Sequence, residues 1–293
     1  MCSTCGCSSN ENGITLTKMG ENHHTHHHHD GHTHSHEHHH GEHSHSHEHH
    51  HEHGHEHDHN HDHEHHHHHH HHHHSHDVNI VELEKDILHQ NQLGAERNRG
   101  FFDALNIFAM NLVSSPGSGK TSLLEKTIAD LKGKIEFSVI EGDQQTTNDA
   151  ARIHALNVPV LQINTGKGCH LDSEMIAKSL KELKPKQNSI LMIENVGNLV
   201  CPAMFDLGEN QRVVIISTTE GEDKPLKYPD MFHSSNICII NKIDLLPYLK
   251  FDLEKLKENA KKVNPNITFF EVSATSGEGM EAWYEFLKSK VRS

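Results

Sequence analysis

Residues 78–293 predict an α/β fold with a mostly parallel sheet flanked by helices. Three observations carry this reading. Short apolar runs of buried-strand type alternate with helical stripes along this part of the chain, and such alternation implies a parallel sheet covered on both faces. A glycine-rich turn falls between the first of these strands and the helix after it. The preceding residues 23–77 hold no Leu, Ile, Val or Phe. They cannot bury a core and read as a disordered His-rich region.

Taken in order, residues 78–106 predict a helix with Ile80, Leu83, Ile87 and Leu88 on one face. FAMNLV (108–113) predicts a strand, and TSLLEKTIADL a helix with Leu124, Ile128 and Leu131 at i, i+4 and i+7. EFSVIEG then reads as a strand, DAARIHAL as a helix, VPVLQI as a strand, and DSEMIAKSLKEL as a helix ended by Pro185. SILMIEN, RVVIIST and NICIIN predict three buried strands. LEKLKENAKKV places Leu253, Leu256, Ala260 and Val263 on one stripe. ITFFEVSA is a strand, and the last helix carries Met280, Trp283 and Leu287. All these stripe residues are expected in the core, as is Cys238 within NICIIN.

The chain divides into a cysteine motif over 1–22, a His-rich segment over 23–77 and one globular domain over 78–293. Of 39 histidines, all but His89, His154, His170 and His233 lie between His23 and His76. The formal charge of −15 counts His as neutral; partial protonation near a pKa of ~6.5 brings the tract closer to neutrality. No basic patch is interleaved with aromatics, which argues against nucleic acid. No apolar run reaches the roughly 18 residues of a membrane span and no secretory segment is visible, so the expected setting is the cytoplasm. Six cysteines there point to metal or core roles before disulfides.

SSPGSGKTS (114–122) has the strand–turn–helix context of a phosphate-binding loop, which makes the expected fold that of a P-loop NTPase. Gly117, Ser118 and Gly119 let backbone N–H groups approach phosphate, and the helix N-terminus favours its charge. Lys120 would reach the β/γ-phosphates, the Thr121 hydroxyl would coordinate Mg²⁺, and Ser122 follows on the same turn. Ser114 stands where the full pattern has glycine. NKID (241–244) follows a strand, and Asp244 can accept from guanine N1–H and the 2-amino group, donors that adenine lacks. Asn241 would meet the base edge, the Lys242 stem would cover the ring, and Ser273 and Ala274 would offer a backbone N–H to the guanine oxygen. These features favour GTP/GDP over ATP. Glu194 ends ILMIE as the acidic residue expected to hold Mg²⁺ or its water, with Asp143 as a second candidate; either also suits a cap or a loop. E-N-V-G (194–197) resembles the D-x-x-G switch of GTPases, where Gly197 would bond the γ-phosphate. Neither a glutamine nor an arginine can be assigned as a catalytic finger, so slow intrinsic turnover is expected.

Cys169 and His170 are adjacent and Cys201 follows Glu194 by seven positions. Thiolate plus imidazole suits Zn²⁺ or Ni²⁺, although spacing alone also allows incidental Cys and His. Three ligands under-coordinate a metal, a shortfall that a two-fold dimer sharing the site would resolve. At the N-terminus, Cys2, Cys5 and Cys7 form C-x-x-C-G-C. Removal of Met1 would expose an α-amine as a fourth donor, and one nitrogen with three sulfurs suits square-planar Ni²⁺. The His tract, neutral at pH 7.5, would hold several nickel ions in overlapping sites.

SSPGSGKT, EGDQQT, GKGCHLD, IENVGNLVCPAMFDLGE and NKIDLLPY together resemble HypB, the hydrogenase nickel-incorporation GTPases within the SIMIBI class. The resemblance implies GTP-dependent homodimerisation, a Zn²⁺/Ni²⁺ site at Cys169, His170 and Cys201, and nickel delivery to the [NiFe]-hydrogenase large subunit with a HypA-type chaperone as partner. The urease nickel GTPases are the alternative family, though they are similar to a Cys-Pro-His pattern absent here. Passive nickel storage is the alternative from another class, and the intact Lys120, Thr121 and Asp244 argue against it.

Overall fold

The structure, a computed structural model, describes residues 15–19, 75–143, 148–166 and 168–291. Cys2, Cys5 and Cys7 and the histidines from His23 to His74 lie outside the described residues. Residues 15–19 and 79–291 belong to one compact unit; residues 75–78 fall in a second that spans 22–78.

The elements run β1 (Thr15–Lys18), α1 (Ser75–Ala104), β2 (Phe108–Ser114), α2 (Lys120–Leu131), β3 (Phe137–Asp143), α3 (Asn148–His154), β4 (Val160–Asn164), α4 (Ser173–Leu183), β5 (Ile190–Glu194), β6 (Gln211–Ser217), α5 (Lys224–Lys227), α6 (Pro229–Ser234), β7 (Ile237–Asn241), α7 (Leu253–Val263), β8 (Thr268–Glu271) and α8 (Met280–Lys288). Tight 3₁₀ turns occupy Cys201–Met204 and Ile243–Tyr248. The strands form one sheet in the order β1-β4-β3-β5-β2-β6-β7-β8. From β4 to β8 every pairing is parallel; β1 adds to the β4 edge antiparallel, with Thr15 opposite Asn164.

The side-chain period of two sorts each strand's residues between the two faces of the sheet. Met110 and Leu112 pack with Leu124, Ile128, Trp283 and Leu287 of α2 and α8. On the other face Ala109 joins Phe102 of α1 and Ile176 and Leu180 of α4, while Val113 joins Met231, Phe232, Leu256 and Ala260 of α6 and α7. Each fully buried aliphatic or aromatic side chain contributes about 1.5–3 kcal/mol. Trp283 also donates its indole N–H to Thr127 Oγ1 at 3.0 Å. Cys238 is fully buried in this core, and burial pushes its thiol well above the ordinary range.

Two features depart from expectation. The stripe proposed for α1 is not core: Leu83 and Ile87 are 54% and 43% exposed. The face that packs is Asn91, Gly94, Ala95, Asn98 and Phe102. Asn98 donates to Ser173 O and Leu207 O. Asn91 donates to Asp206 O and accepts from the Ser173 amide. Gly94 lies so close to Ser173 that a Cβ would sit 2.2 Å from its hydroxyl. This helix docks through polar contacts, which apolar periodicity does not detect. The second departure is β8, which ends at Glu271, short of the predicted Ala274.

Candidate functional site

Parallel strands deliver their C-terminal ends to one edge of the sheet, the usual place for a ligand in such folds. Here Ser114, Asp143 and Glu194 end β2, β3 and β5. The loop from Ser115 to Gly119 turns directly into α2. Gly119 has φ +90°, and a Cβ there would lie 2.5 Å from Asn241 Nδ2, so both backbone conformation and space require glycine. Ser114 is buried and bonds Ser115 O at 2.9 Å; a small side chain is accommodated at this position.

The loop floors a cleft of about 260 Å³ lined by residues 114–122 with Glu141, Gly142, Asp143, Asp149, Arg152, Glu194 and Gly197. Lys120 Nζ lies 2.9 Å from Glu194 Oε1 and donates to Asn195 O at 2.6 Å. Thr121 Oγ1 donates to the same Glu194 oxygen at 2.6 Å and lies 3.3 Å from Asp149 Oδ2. Glu194 Oε2 is buried without a hydrogen-bond partner, as is Glu141 Oε2. Carboxylate and hydroxyl oxygens with unmet valence suit a hard divalent cation such as Mg²⁺. Gly197 faces the loop, its Cβ direction meeting Pro116.

Glu141, Asp149 and Arg152 were not anticipated from the sequence. Glu141 sits beside Glu194 in the β3–β5 register. Burial first, then the Glu194 and Asp143 carboxylates, push its carboxyl up to about 8, against the pull of Lys120. Its signal was the alternation in VIEGD, which puts Glu141 and Asp143 on one face. Arg152 pairs with Glu125 and Asp149; nothing in DAARIHAL marks it as facing the cleft.

At the loop after β7, Asp244 Oδ1 is buried and has no hydrogen-bond partner. Asn241, expected at the base edge, is tied to the loops around it. It is 1% exposed, donates to Ser118 O at 3.0 Å, and accepts from Lys242 N and Ala274 N. It braces the phosphate loop against the loop that carries Ser273 and Ala274, and occupies the Ala274 N–H. Lys242, at φ +64°, donates to Gly117 O at 2.7 Å.

The structure brings Cys169, His170 and Cys201 together, with one ligand atom from each inside a mutual 4.8 Å. Cys169 Sγ is 3.8 Å from His170 Nδ1. Cys169 and His170 follow β4, while Cys201 opens the turn after β5. The His170 ring stacks on Phe205, with centroids 3.8 Å apart and planes 18° from parallel. Burial holds the imidazole below its ordinary pKa, with Asp172 opposing, so the ring is held in the neutral form that binds metal.

A doubly covered parallel sheet with a glycine loop wrapped over an α-helix N-terminus defines a P-loop nucleotide-binding domain. The CobW/HypB/UreG nucleotide-binding domain signature matches residues 108–271. The hydrogenase maturation factor HypB of Rhizobium leguminosarum bv. viciae is 57% identical over 209 residues, 71% of this chain and 70% of its own. That of Escherichia coli K12 is 56% identical over 211 residues, 72% and 73%. Among solved structures, Archaeoglobus fulgidus HypB aligns at TM-score 0.64 and 39% identity over 68% of this chain and 98% of its own. HypB from Helicobacter pylori, crystallised in complex with nickel, aligns at 0.64 and 38% over 69% and 94%. The chain belongs to the HypB branch of the CobW/HypB/UreG family. Among the described residues no helix is long and apolar enough to cross a membrane.

Proposed function

We propose that this protein is a GTP-hydrolysing nickel metallochaperone of the cytoplasm that stores nickel and delivers it for maturation of [NiFe]-hydrogenase. The observation that carries the reading is the meeting of Cys169 and His170 with Cys201, which opens a turn seven residues after Glu194, the partner of the P-loop Lys120. Nickel is the cargo of this trio and Zn²⁺ its competitor. A homodimer formed with GTP bound would complete the coordination that one chain leaves short. The HypA-type chaperone and the hydrogenase large subunit are the partners this role requires. Cys2, Cys5 and Cys7 would form a separate tight nickel site, and the histidines between His23 and His76 a weaker store.

Hydrolysis on this scaffold is mainly electrostatic. Lys120 places a cation at the transferring phosphoryl oxygens. Gly117, Ser118, Gly119 and Gly197 offer backbone N–H groups, and Ser122 continues the turn. Asp244 selects guanine. Thr121, Asp143 and Glu194 would hold Mg²⁺, which when bound neutralises charge developing on phosphate oxygens. Arg152 is engaged by Glu125 and Asp149, so slow intrinsic turnover is expected.

The test is nickel affinity and oligomeric state with GDP and with a non-hydrolysable GTP analogue, for wild type and Cys201→Ala. Nucleotide should change both in the wild type, and Cys201→Ala should remove the nickel response. Wild-type nickel affinity and assembly indifferent to nucleotide would reject the reading.

A further inference from the structure

A chain of buried polar side chains runs from the phosphate cleft to the Cys169/His170/Cys201 trio. It starts where Lys120 Nζ donates to Asn195 O at 2.6 Å. The Asn195 side chain branches from there. Its Oδ1 accepts from the amide of Leu171, the residue after His170, at 3.3 Å. Its Nδ2 donates to Asn111 Oδ1 at 3.1 Å. Asn111 Nδ2 donates to Glu209 Oε1 at 3.0 Å, and Arg212 Nε donates to the same oxygen at 2.9 Å. The far end of Arg212 donates to Ala203 O at 3.0 Å and Phe205 O at 2.7 Å. Ala203 lies in the turn that begins at Cys201, and Phe205 is the residue stacked on His170. The path therefore reaches the metal trio from both sides.

Every link is out of solvent. Asn111 and Asn195 are fully buried, and the Glu209 and Arg212 side chains are only 5% and 7% exposed. Asn111 sits mid-strand between Ala109 and Val113, on a face that is otherwise apolar. An aliphatic residue would pack there without needing a partner, whereas a buried amide is costly unless both its ends are bonded. A fully satisfied buried network has few alternative arrangements, so moving one member displaces the next.

We propose that Asn195, Asn111, Glu209 and Arg212 are positioning residues that couple the nucleotide cleft to the metal trio. This rests on the nucleotide-gated nickel reading above and supplies its physical route. Phosphate competes with Asn195 O for the Lys120 ammonium. Release of that carbonyl shifts Asn195, which moves Leu171 beside His170 directly, and moves the Cys201 turn through Asn111, Glu209 and Arg212.

Linkage makes the coupling measurable from the nucleotide side, because nickel must change nucleotide affinity by the factor that nucleotide changes nickel affinity. The experiment titrates the full chain with fluorescent GDP and a fluorescent non-hydrolysable GTP analogue in excess Mg²⁺, with and without Ni²⁺. Cys169→Ser reports any effect of nickel bound elsewhere. In the wild type the nickel-dependent factor should be about 5-fold or more, and Cys169→Ser should bring it to one. Asn111→Leu and Arg212→Lys should bring it within about twofold of one, with nickel-free nucleotide affinity near wild type. Circular dichroism checks each fold, and Arg212→Lys, which keeps the charge beside Glu209, decides if Asn111→Leu does not fold. A wild-type factor of one rejects nucleotide gating itself. A wild-type factor that survives in the folded variants overturns the network and leaves gating standing.

Discussion

Lys120 and Glu194 form a buried ion pair, Nζ to Oε1 2.9 Å, with side chains 11% and 2% exposed. A pair taken this far out of water is costly to break from one side, because the remaining charge stays behind without its partner. Lys120→Ala should therefore lose nucleotide binding and also about 3 kcal/mol of stability. The double variant Lys120→Met/Glu194→Gln, which removes both charges and keeps the volume, should recover most of the stability and none of the hydrolysis. Urea unfolding followed by circular dichroism, beside a phosphate-release assay, separates the two effects. Equal stability for the single variant and the wild type would show that the pair contributes nothing.

Glu141 makes a pH-dependent prediction. Its carboxyl titrates at about 8 in the folded protein, against 4.5 ordinarily. Between those values the folded chain holds a proton that the unfolded chain has lost, so this group makes stability fall as pH rises. Glu141→Gln is neutral throughout and escapes that loss. It should match wild type near pH 5 and exceed it by roughly 2 kcal/mol or more at pH 8. Thermal melts of metal-free protein at both pH values test this; a gap that does not grow with pH would refute it.

The phosphate loop was legible because its chemistry demands rare backbone. Gly119 has positive φ and no room for a Cβ, so few residue types fit there and the pattern stands out. The strands were legible for the opposite reason: Ile190 to Ile193 or Ile237 to Ile240 are fully or nearly fully buried on both faces and read as unbroken apolar runs. Where a core face is polar, the reading failed. Asn91 and Asn98 hold α1 in place through backbone carbonyls, yet periodicity points instead to the exposed Leu83 and Ile87. Asn111 interrupts a strand without revealing that it bridges Asn195 and Glu209. The short β1, TLTK, is mostly exposed and polar, so nothing marks it before it pairs with β4. The adjacency of Cys169 and His170 drew attention to the cluster they form with Cys201; Phe205 and Arg212, which contact that cluster and its turn, lie in stretches that look like ordinary loop and strand.

Guanine selection should reside in one carboxylate. Asp244 Oδ1 is buried and unpartnered, placed to accept from the two N–H donors of guanine's edge. Asp244→Asn presents an amide donor to the guanine 2-amino group and should weaken GTP binding by about 100-fold or more. Xanthine carries a carbonyl at that position, so the same variant should gain affinity for xanthosine triphosphate. Competition of both nucleotides against a fluorescent GDP measures the switch. Undiminished GTP affinity in Asp244→Asn would place base recognition elsewhere.

Nickel capacity and nickel gating should separate along the chain. Imidazole binds Ni²⁺ only in its neutral form, so the histidines between His23 and His76 should load several ions near pH 7.5 and lose most of them near pH 5. Deleting residues 23–74 should lower the nickel stoichiometry several-fold at pH 7.5. GTP hydrolysis should be unchanged, because every residue lining the cleft lies between Ser114 and Gly197. Burial lowers the His170 pKa, so proton competition at that imidazole sets in at lower pH than at ordinary histidines. Nickel at the Cys169/His170/Cys201 trio, read as the ions that Cys169→Ser removes from the deleted chain, should therefore be displaced from its imidazole at lower pH than the ions of the tract. Equilibrium dialysis across that pH range, run beside a phosphate-release assay, tests all three points. An unchanged stoichiometry would remove the storage role from the histidines, and a lost GTPase activity would tie the tract to the cleft.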